Sequence, residues 1–165
     1  MIRSKEEVLK TVSEMLDEEN LKITSSDFSR PWGGFFVLDE SQAEQFIAMY
    51  FPTYKKEDLI LGNKLSPKIL VVQPGKRLSW QYHHRRAEIW RVVEGEVGMV
   101  MSNNDEETGL NIFEPGDVIV LAKEQRHRLV GLNDWGVVAE IWQHTDTEHP
   151  SDEDDIVRLQ DDFGR

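Results

Sequence analysis

The stretch from Pro74 to Gly95 constrains this chain more than any other part of its sequence. Within it, Gln81 and His83 stand two residues apart, so on a β-strand both side chains would point to the same face. A short polar turn separates them from Glu88, which opens a second run of alternating side chains. A hairpin with this spacing can direct an amide oxygen, an imidazole and a carboxylate at one point. That donor set is typical of a site for a divalent metal ion.

A second motif downstream offers another ligand. Gly116 starts a strand pattern, and His127 opens the next one. The glycines and candidate ligands fall at the spacings of the two cupin motifs: Gly75, Gln81, His83, Glu88, Gly95, Gly116 and His127. The chain therefore resembles a cupin. The resemblance implies an all-β fold, a double-stranded β-helix or jelly roll, whose metal ligands would be Gln81, His83, Glu88 and His127.

The sequence departs from the commonest cupin pattern in both motifs. Gln81 stands where most cupins have histidine. In the second motif, Ala122, Glu124 and Gly131 stand where cupins often have proline, glycine and asparagine. His84 offers a competing imidazole, but its parity along the strand directs it to the opposite face.

The glutamine indicates a narrower family. The pattern Leu-Ser-x-Gln-x-His-x-x-Arg-x-Glu-x-Trp, from Leu78 to Trp90, resembles the cupin of type II mannose-6-phosphate isomerases, which also carries glutamine. The segments 30–33 and 153–158 and the closing Asp-x-x-Gly-Arg resemble the two ends of that domain. We therefore expect a cupin domain at residues 30–165, preceded by a helical extension at residues 1–29.

The resemblance implies a metal-dependent aldose–ketose isomerase that acts on a sugar phosphate, either mannose 6-phosphate and fructose 6-phosphate or a related pair. The nitrogen and oxygen ligands suit zinc, manganese, iron, cobalt or nickel, and the sequence does not choose among them. A nucleotidyltransferase domain usually precedes this cupin and would not fit in a chain of this length, so we expect no guanylyltransferase activity. Two alternatives stay open, a non-catalytic sugar-binding cupin and another metallocupin enzyme such as an epimerase or an oxygenase.

Four further residues are candidates for catalysis or substrate binding. Glu140 lies in an apolar run, where a carboxylate is costly unless it has a partner or a function, so it is a candidate proton-transfer base. An ion pair with an arginine is the alternative. Arg158 follows two apolar residues near the end of the chain and would bind a phosphate group. Lys68 and Arg30 are also candidates for substrate binding, although neutralisation of the acidic surface fits these two better.

Composition limits the partners of the chain. Its 165 residues suffice for one domain, and the formal net charge of −12 argues against nucleic acid and anionic membranes. It contains no cysteine, no apolar leader and no run long enough to span a membrane, so we expect a cytoplasmic protein.

The pattern of the chain predicts helices first and strands afterwards. A capping box of Ser4 and Glu7 would open a helix that ends near Glu19, and one of Ser41 and Glu44 would open a second helix, which stops at Pro52. Strands are expected at 35–38, 68–73, 78–83, 88–94, 96–101, 110–113, 117–121, 127–131, 137–143 and 156–159. Two amphipathic helices and five tryptophans exceed what a small barrel buries alone, so we expect a homodimer.

Overall fold

The computed structural model describes residues 1–165 and contains three α-helices and eleven strands. The helices are α1 (Lys5–Glu18), α2 (Ala43–Tyr50) and α3 (Lys56–Leu59). The strands are β1 (Ile23–Asp27), β2 (Gly33–Leu38), β3 (Lys68–Val72), β4 (Trp80–Tyr82), β5 (Arg86–Glu94), β6 (Val97–Ser102), β7 (Asn111–Phe113), β8 (Val118–Leu121), β9 (Arg126–Gly131), β10 (Gly136–His144) and β11 (Val157–Gln160).

The strands form two antiparallel sheets, which confirms the predicted all-β jelly roll. A six-stranded sheet has the order β1-β2-β3-β10-β5-β8, and a five-stranded sheet has the order β11-β4-β9-β6-β7. The central strand β10 pairs with β3 on one side and β5 on the other, although β5 precedes it by more than forty residues. Such non-local pairing brings side chains from both halves of the sequence between the two sheets.

The first helix begins as the sequence predicts. The Ser4 hydroxyl accepts a hydrogen bond from the Glu7 backbone N–H at 3.2 Å, and the Glu7 carboxylate accepts one from the Ser4 N–H at 2.7 Å. The reciprocal bonds satisfy two of the backbone donors that a helix start leaves free. Val8, Val12 and Leu16 form the buried face of α1.

The predicted start of the second helix was wrong. Asp39 caps a single 3-10 turn (Glu40–Gln42), and its carboxylate accepts hydrogen bonds from both the backbone N–H and the hydroxyl of Ser41. Ser41 lies inside this turn, and α2 begins at Ala43 without a side-chain cap. Glu44 forms an ion pair with Lys56 instead of closing a capping box.

Two elements were not predicted from the sequence. The strand β1 consists mainly of exposed polar residues and pairs with β2 at the edge of the sheet, and α3 has only four residues. Because neither face of β1 is buried, the strand lacks the apolar alternation by which strands are recognised. The strand lies within the predicted extension of residues 1–29 and connects it to the sheet, while the domain division at residue 30 stays a prediction.

Both faces of the central strands of the six-stranded sheet are buried. Side chains such as Leu70 and Val138 pack between the sheets, whereas their neighbours Ile69 and Val137 pack under the helices on the outer face. The helices that prompted the homodimer prediction thus cover apolar surface of their own chain. The dimer stays a prediction, and three of the nine exposed large apolar side chains lie on β7 and β8. None of the helices combines the length and the hydropathy that crossing a membrane requires.

Two glycines of the first motif have nearly the same backbone conformation but different surroundings. Gly75 and Gly95 have φ angles of 72° and 73°, but a Cβ at Gly75 meets nothing within 4 Å, whereas one at Gly95 would lie 2.3 Å from the Trp135 carbonyl oxygen. We expect Gly75→Ala to lower the free energy of unfolding by about 1–2 kcal/mol through backbone strain alone. Gly95→Ala should cost a further ~1–3 kcal/mol because of the clash.

Urea unfolding of the two variants beside the unchanged chain measures this difference. Equal destabilisation by the two substitutions would contradict the close approach of the backbone at Gly95.

Candidate metal centre

Three buried side chains converge where the two sheets meet. His83 follows β4, His127 lies on β9 of the same sheet, and Glu88 lies on β5 of the opposite sheet. Each of the three is only 2% exposed, and their ligand atoms all lie within 4.8 Å of one another. Nε2 of His83 is 3.2 Å from one Glu88 oxygen, and Nε2 of His127 is 3.9 Å from the other. This His-Glu-His group can bind a metal ion.

The orientation of both imidazoles fits a metal site. Nδ1 of His83 lies 2.7 Å from the Asp155 carbonyl oxygen, and Nδ1 of His127 lies 3.0 Å from the Gln125 carbonyl oxygen. Since a carbonyl only accepts, each Nδ1 donates, and the lone pair of each Nε2 points toward Glu88. Nε2 of His127 is buried without any hydrogen-bond partner. A buried acceptor without a partner is costly, so the residues present fit a cation at this point.

The protonation of the three groups also suits metal binding. Burial lowers the pKa of His83 to about 4 and also lowers the pKa of His127. Burial raises the pKa of Glu88, but the Arg86 guanidinium and the two imidazoles outweigh it and bring the value down to about 2. At neutral pH the site therefore holds two neutral imidazoles and a carboxylate, the forms that coordinate metals.

Gln81, the fourth predicted ligand, lies beside the cluster. It stands directly opposite His127 in the pairing of β4 with β9. Its amide oxygen accepts a hydrogen bond from the Ser79 hydroxyl at 2.6 Å, and its amide nitrogen lies 3.5 Å from Nε2 of His83. Coordination through oxygen requires the amide to rotate, so Gln81 stays a predicted ligand.

Arg86 is a further residue of the site and was not among the predicted site residues. Its Nε donates to Glu88 at 2.8 Å, and a terminal nitrogen lies 3.3 Å from Nε2 of His83. Its guanidinium also stacks on Trp142, 3.6 Å from the ring centroid. The signal was present, because Arg86 and Glu88 are two residues apart on one strand and share a face.

Most of the predicted site residues line a cavity of about 70 Å³ next to the cluster. Its wall includes Arg30, Lys68, Gln81, Glu88, Glu140 and Arg158. The register of the strands explains why these residues lie around one cavity. Across the five-stranded sheet Arg158, Gln81 and His127 stand in one row, and across the six-stranded sheet Lys68, Glu140 and Trp90 stand in another. Directly opposed residues of antiparallel strands point to the same side, so both rows face the interior.

Glu140 is a buried carboxyl group whose ionisation is suppressed. It is 5% exposed, and the Trp142 indole N–H donates to it at 2.6 Å. Burial, followed by the negative charge of Glu88, raises the pKa of Glu140 to about 8, while Lys68 and Arg86 oppose the rise. The alternative of an ion pair with an arginine does not describe it, since Arg86 pairs with Glu88.

The three predicted substrate-binding cations differ in their surroundings. Lys68 is buried, pairs with Glu153 and lies 3.9 Å from the centroid of the Trp142 ring. Arg30 pairs with Asp27 at 3.1 Å. Arg158 is exposed at the outer end of the cavity and has no carboxylate at ion-pair distance.

A serine–histidine contact near the cavity does not form a nucleophile and base. Nε2 of His144 lies 2.9 Å from the Ser66 hydroxyl, while the Ser151 backbone N–H donates to Nδ1 at 3.0 Å. Because Nδ1 accepts, the proton of the neutral ring is on Nε2, which therefore donates to Ser66 and cannot deprotonate it.

Comparisons with known proteins agree with the motifs. Residues 39–161 match the family model described as mannose-6-phosphate isomerase C-terminal. The alginate biosynthesis protein AlgA of Pseudomonas aeruginosa is 33% identical over 125 residues, which cover 76% of this chain and 24% of AlgA. The mannose-1-phosphate guanylyltransferase ManC of Salmonella typhimurium is 29% identical over 117 residues, 71% of this chain and 23% of ManC. The chain thus spans about a quarter of the length of these relatives.

Solved structures support the fold. A recombinant oxalate oxidase in complex with glycolate superimposes with a TM-score of 0.54 at 16% identity, over 84% of this chain and 61% of the oxidase. An oxalate decarboxylase variant from B. subtilis gives a TM-score of 0.55 at 12% identity, over 82% of this chain and 30% of the decarboxylase. Since the family model matches more than half of the residues, the chain belongs to the mannose-6-phosphate isomerase C-terminal family and is a cupin.

Proposed function

We propose that this cupin is a metal-dependent isomerase that interconverts an aldose phosphate and a ketose phosphate, with mannose 6-phosphate and fructose 6-phosphate as the first pair to test. The observation that carries the proposal is one cavity whose wall includes Glu88 of the buried His-Glu-His group, a carboxyl group with a raised pKa and an arginine without a carboxylate at ion-pair distance. Membership of the family and the relatives named for alginate biosynthesis and mannose-1-phosphate guanylyltransferase support a role in mannose metabolism.

The metal would be held by His83, Glu88 and His127, with Gln81 as fourth ligand after rotation of its amide. A divalent cation held there supplies Lewis-acid polarisation of a sugar oxygen beside the reacting carbon. Zinc, manganese, iron, cobalt and nickel all accept this ligand set. The protein keeps both imidazoles oriented through the carbonyl oxygens of Asp155 and Gln125.

Glu140 would move the proton. In its ionised form the carboxylate takes the proton from the carbon next to the aldehyde and returns it to the former aldehyde carbon, while the hydroxyl proton of the neighbouring carbon passes to the former aldehyde oxygen, so Glu140 is unchanged after one turnover. A pKa near 8 makes the carboxylate a stronger base than an exposed glutamate while leaving part of it ionised near neutral pH. The bond from Trp142 fixes the direction of the carboxyl group.

Arg158 would bind the phosphate group. It stands opposite Gln81 in the pairing of β11 with β4, so one sugar can contact the metal centre and the arginine together. Burial, and next the neighbouring Arg165, lower the pKa of Arg158, which shows that a second cation is nearby. The charges of Asp161 and Glu153 act in the opposite direction, but neither carboxylate lies at ion-pair distance, and a guanidinium without such a pair favours an anionic ligand.

The ligand assignment is tested by metal content. We expect the double variant His83→Ala with His127→Ala to lose stoichiometric metal, because only one of the three clustered ligands remains. Elemental analysis measures the metal, and circular dichroism checks the β-rich fold. His84→Ala is the control, since this exposed imidazole pairs with Glu124 away from the cluster. Full metal content in the double variant would show that the ion is bound elsewhere.

The role of Glu140 is tested by Glu140→Gln. The amide keeps the shape of the side chain but cannot accept the proton, so we expect turnover to fall about 10²–10⁴-fold with little change in substrate affinity. A coupled assay of fructose 6-phosphate formation gives both parameters. Unchanged turnover would exclude Glu140 as the base, and tight binding without any turnover in the unchanged chain would favour the non-catalytic sugar-binding cupin.

The same substitution should change the dependence of stability on pH. Between about pH 4.5 and pH 8 the unfolded chain has lost the Glu140 proton while the folded chain retains it. The folded state therefore binds more protons, and its stability falls as pH rises, by up to about 1.4 kcal/mol per pH unit from this group. Glu140→Gln should lack this loss, so it should gain stability relative to the unchanged chain from pH 5 to pH 8. Parallel pH profiles in urea unfolding would contradict the raised pKa.

Arg158→Gln tests the phosphate contact. We expect affinity for the phosphorylated sugar to fall about 10–100-fold, the effect of removing a hydrogen bond to a charged group, while affinity for the unphosphorylated sugar stays the same. Titration calorimetry measures both. Arg77→Gln is the matched control, because it also removes one positive charge but pairs with Asp162 outside the cavity. An equal effect of the two substitutions would refute a direct contact.

A further inference from the structure

The cations that line the cavity are almost all neutralised by the chain itself. Five basic side chains form part of its wall, and a carboxylate lies within ion-pair distance of four of them: Arg30 with Asp27, Lys68 with Glu153, Arg86 with Glu88 and Arg165 with Asp161. Arg158 is the fifth: no carboxylate lies within ion-pair distance of it, and only the more distant charges of Asp161 and Glu153 act to raise its pKa. Arg158 is therefore the cation of the wall that is open to direct contact with an added anionic group.

The pair of Lys68 and Glu153 differs from the others in its burial. The Lys68 side chain is 7% exposed, whereas the Glu153 side chain is 53% exposed and reaches the lysine from the acidic segment before β11. The Lys68 ammonium lies 3.9 Å from the Trp142 ring centroid and 4.9 Å from that of Phe35. A buried ammonium needs a counter-charge, and Glu153 is the carboxylate that supplies it.

Lys68 and Arg158 occupy different parts of the cavity. Lys68 is buried and stands opposite Glu140 in the six-stranded sheet, whereas Arg158 is exposed and stands opposite Gln81 in the other sheet. A sugar that carried anionic groups at both ends would need both cations. With Glu153 in place, the inner anionic group of such a sugar would meet Lys68, which is already paired, and would be repelled by the negative charge of Glu153 beside it.

We propose that Glu153 is a specificity-determining residue: by pairing with Lys68 it closes an inner anion subsite, so the cavity binds sugars with one phosphate group and rejects those with anionic groups at both ends. The preference for a single phosphate rests on the proposed role of Arg158. The closure of the subsite at Lys68 does not depend on it.

Removal of the Glu153 charge should open the inner subsite. In Glu153→Gln the buried Lys68 ammonium loses its counter-charge, and a phosphate oxygen can take its place. We expect affinity for fructose 1,6-bisphosphate to rise at least about tenfold in this variant, while affinity for fructose 6-phosphate changes little. The Glu153 side chain is 53% exposed, so the substitution removes no core packing, and circular dichroism checks that the fold tolerates the unpaired Lys68 ammonium.

Inorganic phosphate serves as the probe for counting subsites by titration calorimetry on the metal-loaded protein. The unchanged chain should bind one phosphate, Glu153→Gln two, and Arg158→Gln none. The double variant Glu153→Gln with Arg158→Gln should bind one phosphate. Adding Lys68→Met to this double variant should abolish phosphate binding. Asp154→Asn is the matched control, because it removes one charge from the same segment, and its exposed side chain has no ion-pair partner.

Each result decides a separate point. No added phosphate in Glu153→Gln, or an equal gain in Asp154→Asn, overturns the role of Glu153. Two phosphates in the unchanged chain, one of them lost with Lys68→Met, overturn it as well. If Arg158→Gln binds as the unchanged chain does while Glu153→Gln gains a phosphate that Lys68→Met removes, Glu153 does close the inner subsite and the proposed function of Arg158 fails.

Discussion

The burial of charge between the two sheets is the constraint on which the rest of this structure depends. Glu88, Glu140, Lys68 and Arg86 are each at most 6% exposed. A buried charge costs several kcal/mol unless it is paired or neutralised. The chain solves this in three ways: Arg86 neutralises Glu88, the surface residue Glu153 neutralises Lys68, and Glu140 retains its proton. Each of these solutions is local, so charged and polar side chains can line one cavity between the sheets.

Hydrogen bonds from the segment 151–156 hold the residues of the site in position. The Asp155 carbonyl oxygen accepts from His83, and its carboxylate accepts from the backbone N–H groups of His84 and Arg85. Ser151 and the Asp152 carbonyl oxygen hold Arg86. One short stretch near the end of the chain therefore sets the geometry of a hairpin seventy residues earlier. This dependence explains why a motif at each end of the domain accompanies the ligand motif in the sequence.

Local periodicity in the sequence predicted most strands and the shared face of the site, whereas contacts between distant segments were missed. The parity of Gln81, His83 and Glu88 placed them correctly on a shared interior face, and the turn residues marked most strands within two residues. The cap at Ser41 was wrong because Asp39, two residues earlier, is the residue that caps this turn and places Ser41 inside it. Nothing near Asp155 or Glu153 in the sequence indicates that they contact His83 and Lys68, since more than seventy residues separate the partners. The pairing of β11 with β4 brings Asp155 beside His83, and Glu153 reaches Lys68 on β3 of the opposite sheet.

The added helices explain how a small jelly roll can accommodate such a polar interior. The apolar cluster between the sheets has 13 buried residues, whereas the cluster between the six-stranded sheet and the helices has 20. Polar groups of the site occupy volume that apolar side chains would otherwise fill, so the interior alone contributes less burial of apolar surface. Strand β10 shows the division: Glu140 and Trp142 face the cavity, while Ala139 and Ile141 face the helices. Because hydrophobic stabilisation scales with buried apolar area, the outer layer offsets the cost of the site and holds the central strands in place from the other side.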